Sequence, residues 1–349
     1  MRFIGNKENV LDKIYQIMTE KGIKGQSFFD FFAGTTNVGR FFKKMNYQVF
    51  SSDLLYFSFV LQKAYIANNQ EYTFDKLIKN INFQSQQLFA TPLQIIVDYL
   101  NQIPDKRGFI WENYTPSGDR MYFSEANGLR IDAIRQQIEE WKNENLISEN
   151  EYFILLACLI ETVPFYANVA GIYAAFHKKW DPRSIKKLKL RPIEFIKNDF
   201  ENQSFNENSV NLLDQIEADI FYLDPPYNQR QYAPNYHLLE TIAKYDNPEI
   251  KGVTGLRANC ENQKSKFCNA TTALQELEKV AKFGKYKTLI LSYNNEGIMP
   301  QSEILSTLSK YGKTELKESD YLRFKSNNNG ESKHKKHIKE QLYILQKNG

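Results

Sequence analysis

Asp224-Pro225-Pro226-Tyr227 follows the mainly apolar run Ile220-Phe221-Tyr222-Leu223. Proline fixes φ and donates no N–H, so two prolines behind an acid make a rigid corner rich in acceptors. Such a corner suits an exocyclic amine, which brings two N–H donors. Asp224 can accept one and the Pro225 carbonyl the other, raising electron density on the nitrogen. Pro226 keeps the corner stiff, and Tyr227 offers a face on which a planar base stacks, worth roughly 1–3 kcal/mol. The plainer alternative is a strand-ending turn with a satisfied aspartate. A second group is Phe29-Asp30-Phe31-Phe32-Ala33-Gly34-Thr35-Thr36-Asn37-Val38-Gly39. A glycine turn between strand and helix lets a ligand approach the backbone closely. Gly34 and Gly39 fit the first half of a phosphate-binding loop, but Arg40-Phe41 stands where Lys-Ser/Thr is needed, and the Gly-x-Gly-x-x-Gly pattern is missing. Asp53 ends the following strand, where an acid commonly receives ribose hydroxyls. A nucleoside-containing ligand without a bound pyrophosphate fits this set. A capping aspartate beside a routine glycine turn is the structural alternative.

These groups need elements to hold them. Val10, Leu11, Ile14 and Ile17 share one helical face and predict a helix over 7–18, ended by Gly22 and Gly25. Strands are predicted at 27–32 and 47–51 with a helix at 38–45 between them, a βαβ unit that calls for a parallel sheet. From 56 to 190 the chain reads as helical and Asn/Gln-rich, with a turn at 114–119, an apolar helix at 152–163 and an Ala-rich helical stretch at 168–177. Strand signals return at 192–198, 219–223 and 286–293, and the runs 320–325 and 341–346 read as a terminal antiparallel hairpin. The predicted fold class is α/β, a sheet domain over 1–55 and 191–349 interrupted by a helical insert at 56–190.

The ordered set Arg2-Phe3-Ile4-Gly5-Asn6-Lys7, Asp30-x-Phe32-x-Gly34, Asp53 and Asp224-Pro225-Pro226-Tyr227 resembles the D12-class, alpha-group adenine-N6 DNA methyltransferases. The run 224–240 is similar to the type IIS restriction-associated members. The resemblance covers both ends of the chain and leaves the insert unmatched by any short motif. It implies a Rossmann-like sheet that binds S-adenosylmethionine. Phe3 and Lys7 would then meet the methionine portion, Asp30, Phe32 and Gly34 would cradle it, and Asp53 would take the ribose hydroxyls. Asp199, expected to close a strand at 194–198, would lie near the cofactor adenine. The implied reaction is methyl transfer to N6 of an adenine flipped from duplex DNA at a defined sequence, with Asp224, Pro225, Pro226 and Tyr227 as the catalytic set. Extruding the base costs about a few kcal/mol. The insert would recognise the target, and a cognate restriction endonuclease is an expected partner.

Between His177 and Arg191, the cations Lys178, Lys179, Arg183, Lys186, Lys187, Lys189 and Arg191 oppose only Asp181, a local charge of +6. Residues 323–339 hold a second basic cluster, including Lys333, Lys335, Lys336 and Lys339, with His334 and His337. Both are candidate phosphate-binding surfaces, and the bland alternative for each is a solvated face. Arg230, Tyr232 and Tyr236 are candidates for gripping the flank of a flipped nucleotide, whereas His237 reads as a structural hydrogen-bonding residue. The chain has 349 residues, about two domains' worth. Its 42% hydrophobic and 25% charged content excludes a disordered or collagen-like polymer, while the net +4 selects no partner by itself. Cys158, Cys260 and Cys268 lack zinc-ligand spacing and are too few for a disulfide framework, so reduced thiols in the cytoplasm and no metal are expected. Charge at Arg2 and Lys7 precedes any apolar segment, so no signal peptide is expected, and no run is long enough to span a membrane. Two other readings stay open: amino methylation of an RNA base, and a catalytically silent, sequence-specific DNA-binding subunit.

Overall fold

Phe28 and Phe29 are neighbours in one strand, so they point to opposite faces, and both are fully buried. A strand of that kind belongs in a parallel sheet covered on each side by helices. The computed structural model describes residues 7–81, 83, 89–258, 260–322 and 337–347, and it has this arrangement. The strands are β1 (Ser27–Asp30), β2 (Gln48–Ser52), β3 (Gln203–Phe205), β4 (Ile220–Leu223), β5 (Ile250–Lys251), β6 (Leu256–Arg257), β7 (Thr288–Asn294), β8 (Lys313–Leu322) and β9 (His337–Gln346). Seven of them form one sheet in the order β3-β2-β1-β4-β7-β9-β8, while β5 and β6 pair separately. β3, β2, β1, β4 and β7 are mutually parallel, and β9 runs antiparallel between β7 and β8.

Two compact units divide the chain. The first comprises Gly5–Gln62, Ile196–Tyr232 and Glu261–Gly349 and carries the sheet. Its helices are α1 (Leu11–Glu20), α2 (Asn37–Lys44) and α3 (Tyr56–Gln62), with the later pair Ala273–Phe283 and Gln301–Ser309. On one face Phe42 of α2 stacks on Phe28 at 3.8 Å. On the other, Leu277, Val280, Ile304 and Leu308 of the later pair pack with Phe29, Phe221, Leu289 and Leu291.

The second unit, Lys63–Phe195 with Ala233–Cys260, is mainly helical. It contains α4 (Asp75–Ile81), α5 (Pro92–Leu100), α6 (Phe109–Tyr114), α7 (Glu125–Asn143), α8 (Glu149–Thr162) and, from Ala233 onward, α9 (Tyr232–Lys244). The stretch 233–260, expected in the sheet domain, returns to this unit. Arg135 of α7 shows why it belongs there: buried, it donates to the Ile242 and Ala243 carbonyls and pairs with Glu139. Among the described residues no helix is long and apolar enough to cross a membrane.

The expected elements need several corrections. The first helix starts at Leu11, after a short 3-10 turn. No strand forms at 192–198; the sheet edge is instead β3, whose Gln203-Ser204-Phe205 carries little apolar signal. The stretch 168–177 is irregular rather than helical, because Asn168 satisfies loop backbone groups with its own carboxamide. The terminal hairpin begins at Lys313, ahead of the expected start.

The topology creates a switch point. From β1 the chain builds outward through β2 and β3, then returns to place β4 on the other side of β1. Connections leave the carboxyl ends of β1 and β4 in opposite directions, and ligands of open α/β sheets bind at such a switch point. Asp30 is in register with Tyr222, so the glycine turn and the diproline corner emerge side by side.

Candidate active site

The turn after β1 is pinned by its own carboxylates. Asp30 accepts the Gly39 N–H at 3.1 Å, tying the end of the strand to the first turn of α2. Asp53 accepts the Gly34 N–H and the Leu55 N–H, each at 2.9 Å. Gly34 has φ 49°, and Thr36, a buried β-branched residue, is held at φ 64°. A threonine in that region is strained, and the acids on either side hold the turn in place. Asp30 Oδ1 makes no hydrogen bond among the described residues, although the side chain is buried. Burial and the nearby Asp224 push the Asp30 carboxyl up to about 7. An unsatisfied buried acceptor at a strand end fits a ligand that brings a cationic or N–H donor group.

The diproline corner is equally constrained. Tyr227 donates its hydroxyl to Asp224 Oδ1 at 2.6 Å, and its carbonyl accepts the Ile298 N–H at 3.0 Å. Its ring stands edge-on to Tyr293, with centroids 5.1 Å apart. Lys7, only 6% exposed, donates to the Tyr227 hydroxyl and to Glu340, and its Nζ lies 3.6 Å from Asp224 Oδ1. Ser292 of β7 donates to the same Glu340 oxygen at 2.7 Å. Burial pushes Asp224 up to about 6, opposed by Lys7 and by the Tyr227 hydrogen bond and assisted by the Glu340 charge. Asp224 and Glu340 therefore flank one ammonium, and Asp30 lies near enough to Asp224 to feel its charge, an acceptor-rich corner suited to a cationic ligand and an amine.

The structure brings Lys7, Asp30, Gly34, Asp53, Asp224, Pro225, Pro226 and Tyr227 to the carboxyl ends of β1, β2 and β4. Phe32 borders the turn, edge-on to Phe267 at 5.2 Å. Phe3 lies outside the described residues. Lys7 sits on the diproline corner itself. Asp199 is not brought to the cluster: it exchanges hydrogen bonds with Asn46, just before β2, at the opposite end of that strand from Asp53. Asn206 follows β3 and donates to the Asp53 carbonyl at 2.9 Å, so Asn206, not Asp199, is the residue beside Asp53 at this end of the sheet. Neither Asn206 nor Glu340 was singled out by sequence. Glu340 had a usable signal, since it shares a strand face with Leu342 and Ile344, where an acid is out of pattern.

Lys178, Lys179, Lys186, Lys187, Lys189 and Arg191 are exposed on the helical unit, and exposed Arg183 is engaged by Asp181, whose carboxyl it holds down at about 2. Arg230 is exposed after the diproline corner and Tyr232 is half-buried beside it. Of the second basic cluster only Lys339 has a described side chain, and it pairs with Glu318. His237 is buried, with Nε2 2.9 Å from the Tyr173 carbonyl. Among the described residues no group of His, Cys, Asp and Glu side chains is placed to hold a metal ion.

Known proteins match this chain in sequence. A family model described as D12 class N6 adenine-specific DNA methyltransferase matches residues 3–307. The chain is 41% identical to the type II methyltransferase M.FokI of Planomicrobium okeanokoites, over 99% of this chain and 53% of that protein. It is 37% identical to the modification methylase LlaI of Lactococcus lactis subsp. lactis, over 100% of this chain and 55% of that protein. Against the type II methyltransferase M.NlaIII of Neisseria lactamica it is 37% identical, over 99% of each chain. It thus spans about half the length of the first two relatives and nearly all of the third.

Proposed function

Since the chain belongs to the D12 class N6 adenine-specific DNA methyltransferase family, we propose that it methylates N6 of a flipped adenine in duplex DNA, using S-adenosylmethionine, as the modification half of a restriction–modification system. The observation that carries this reading is the adjacency of two acids at the switch point, Asp30 buried and Asp224 partly so. Asp30 keeps an unsatisfied oxygen at the glycine turn, and Asp224 heads the diproline corner beside it. The residues present fit such a group: Asp30, Phe32 and Gly34 would cradle its amino-acid end, Asp53 would receive ribose hydroxyls, and Asn206, bonded to the Asp53 carbonyl, would meet it beyond Asp53. When bound, S-adenosylmethionine supplies a methyl group on a sulfonium.

The chain's own residues do the rest. Asp224 accepts one N–H of the target amine and the Pro225 carbonyl accepts the other, fixing the nitrogen so that its lone pair faces the methyl group. Positioning both reactants converts a two-body encounter into a single oriented step. Asp224 Oδ1 already holds a hydroxyl, that of Tyr227, where the amine would go. Tyr227 therefore gives up that hydrogen bond as its ring turns to stack on the base. The proton released from the methylated nitrogen leaves through Asp224. Lys178, Lys179, Lys186, Lys187, Lys189 and Arg191 would contact phosphates, with Arg183, Arg230 and Tyr232 at the margin of the bound strand, and the helical unit would recognise the target.

The test is incubation with methyl-labelled S-adenosylmethionine and a mixture of unmethylated genomic DNA and total RNA, followed by nucleoside analysis. Label in N6-methyldeoxyadenosine is the expected result. Label in RNA nucleosides would favour an RNA base as substrate, and absence of label in either polymer would leave a silent DNA-binding subunit.

A further inference from the structure

Glu340 lies on β9, a strand that contributes nothing to either motif recognised in the sequence. It is buried and accepts hydrogen bonds from Lys7 and Ser292. Lys7 reaches across to the Tyr227 hydroxyl and sits beside Asp224, with its ammonium 5.0 Å from the centre of the Tyr227 ring. A lysine stem is flexible, and an ammonium stays on one acceptor only if something opposite holds it. We propose that Glu340, steadied by Ser292, is a positioning residue that holds the Lys7 ammonium beside Asp224. This rests on the methyl-transfer reading above and adds a residue to it.

The consequence is electrostatic. Asp224 must be an anion to accept the target amine, yet burial favours its protonated form. The groups facing it are Lys7, Asp30, Tyr222, Tyr227 and Glu340. Lys7 is the cation among these five, so its placement decides how far Asp224 stays charged. Glu340 acts in two ways: it fixes Lys7, which helps, and its own charge repels Asp224, which opposes. Replacing its charge while keeping an acceptor separates the two effects.

Single-turnover methyl transfer to genomic DNA, followed over pH, tests the idea. Glu340→Gln keeps an acceptor for Lys7 and Ser292 but removes the repelling charge, so the acid limb should move to lower pH. Glu340→Ala removes the anchor and should slow transfer on the order of 10²-fold, the scale of an ångström's misplacement. Cofactor affinity in that variant, measured by calorimetry with S-adenosylmethionine, should stay at the wild-type value. The Lys7 ammonium proton resonance should be slow-exchanging in the wild type and in Glu340→Gln and lost in Glu340→Ala, a readout independent of activity. If Glu340→Ala does not fold, Ser292→Ala must slow transfer severalfold. An unmoved acid limb in Glu340→Gln, full transfer in the foldable variant, or lost cofactor affinity in Glu340→Ala would overturn the assignment. A wild-type chain that methylates nothing but keeps the protected Lys7 resonance would sink the methyl-transfer reading and not the anchor.

Discussion

Asp30 carries a cost in the free protein that its proposed ligand would relieve. Its carboxyl holds a proton to about pH 7 when folded, against a reference value of 3.8 for the unfolded chain. Below the lower value both states are protonated and the residue costs nothing. As pH rises between the two values only the unfolded chain gives up its proton, so stability falls, and above about 7 the full penalty is in place. Asp30→Asn should therefore raise the melting temperature at pH 8 and leave it nearly unchanged at pH 4. The same variant should lose roughly 1.5–3 kcal/mol of cofactor binding, the worth of a hydrogen bond to a charged group. Equal melting curves at pH 8, or unchanged calorimetric affinity, would remove Asp30 from the site. Asp224→Ala should behave differently, abolishing methyl transfer with cofactor binding still measurable. Wild-type turnover in that variant would end the catalytic assignment. Asp53→Ala is expected to weaken cofactor binding by a similar roughly 1.5–3 kcal/mol, partly by releasing the Gly34 N–H that it holds.

At the scale of elements, the basic segment of the helical unit is irregular yet firmly held. Asn168 Nδ2 donates to the Met121 and His177 carbonyls, and its Oδ1 accepts the Asp181 N–H. Asn127 likewise takes the Ser184 and Lys186 carbonyls and the Leu188 N–H, and Asn101 takes both backbone groups of Leu190. Three carboxamides thus replace the ladder that a helix or strand would provide, while Lys186, Lys187 and Lys189 stay exposed. Neutralising those three lysines should reduce the slope of log affinity against log salt by roughly 2–3, because each phosphate contact contributes about 0.9. Asn127→Ala leaves every charge in place and should weaken DNA binding with the slope intact, since the segment must then be ordered on binding. A wild-type slope in the lysine variant would make the cluster a solvated face. The same segment shows what sequence can and cannot reveal. Apolar runs ending in Asp30, Asp53 and Asp224 made β1, β2 and β4 legible together with the acids they present. The apolar residues Ile193 and Ile196 mimicked a strand, but they are buried as irregular chain, and polar β3 took the sheet edge. Asp199 was misplaced for that reason. Glu340 breaks the apolar face of its strand, but its role was hidden because its partners, Lys7 and Ser292, are 333 and 48 residues away, a closeness that only the sheet order creates.

For the whole molecule, the division into two units makes a prediction about where binding energy is felt. All the residues proposed to meet the cofactor whose positions are described, from Asp30 to Asn206, belong to the sheet unit. A ligand that binds the folded state alone stabilises it by about 2.7 kcal/mol at a hundredfold excess over Kd. That stabilisation reaches only the structure that must open to release the ligand. The helical unit has its own buried ties, with Arg135 joining α7 to the end of α9 and Asp132 accepting the Ile110 and Trp111 N–H groups at the start of α6. These ties persist whether or not the turn after β1 is occupied. Hydrogen exchange with and without S-adenosylmethionine should show slowed exchange in β1, α2, β2 and β4 and unchanged rates in α5, α6, α7 and α8. Duplex DNA added to the cofactor-bound protein should then slow exchange across 178–191. Cofactor protection spread evenly over both units would mean that they open together and that the boundary between them is not an energetic one.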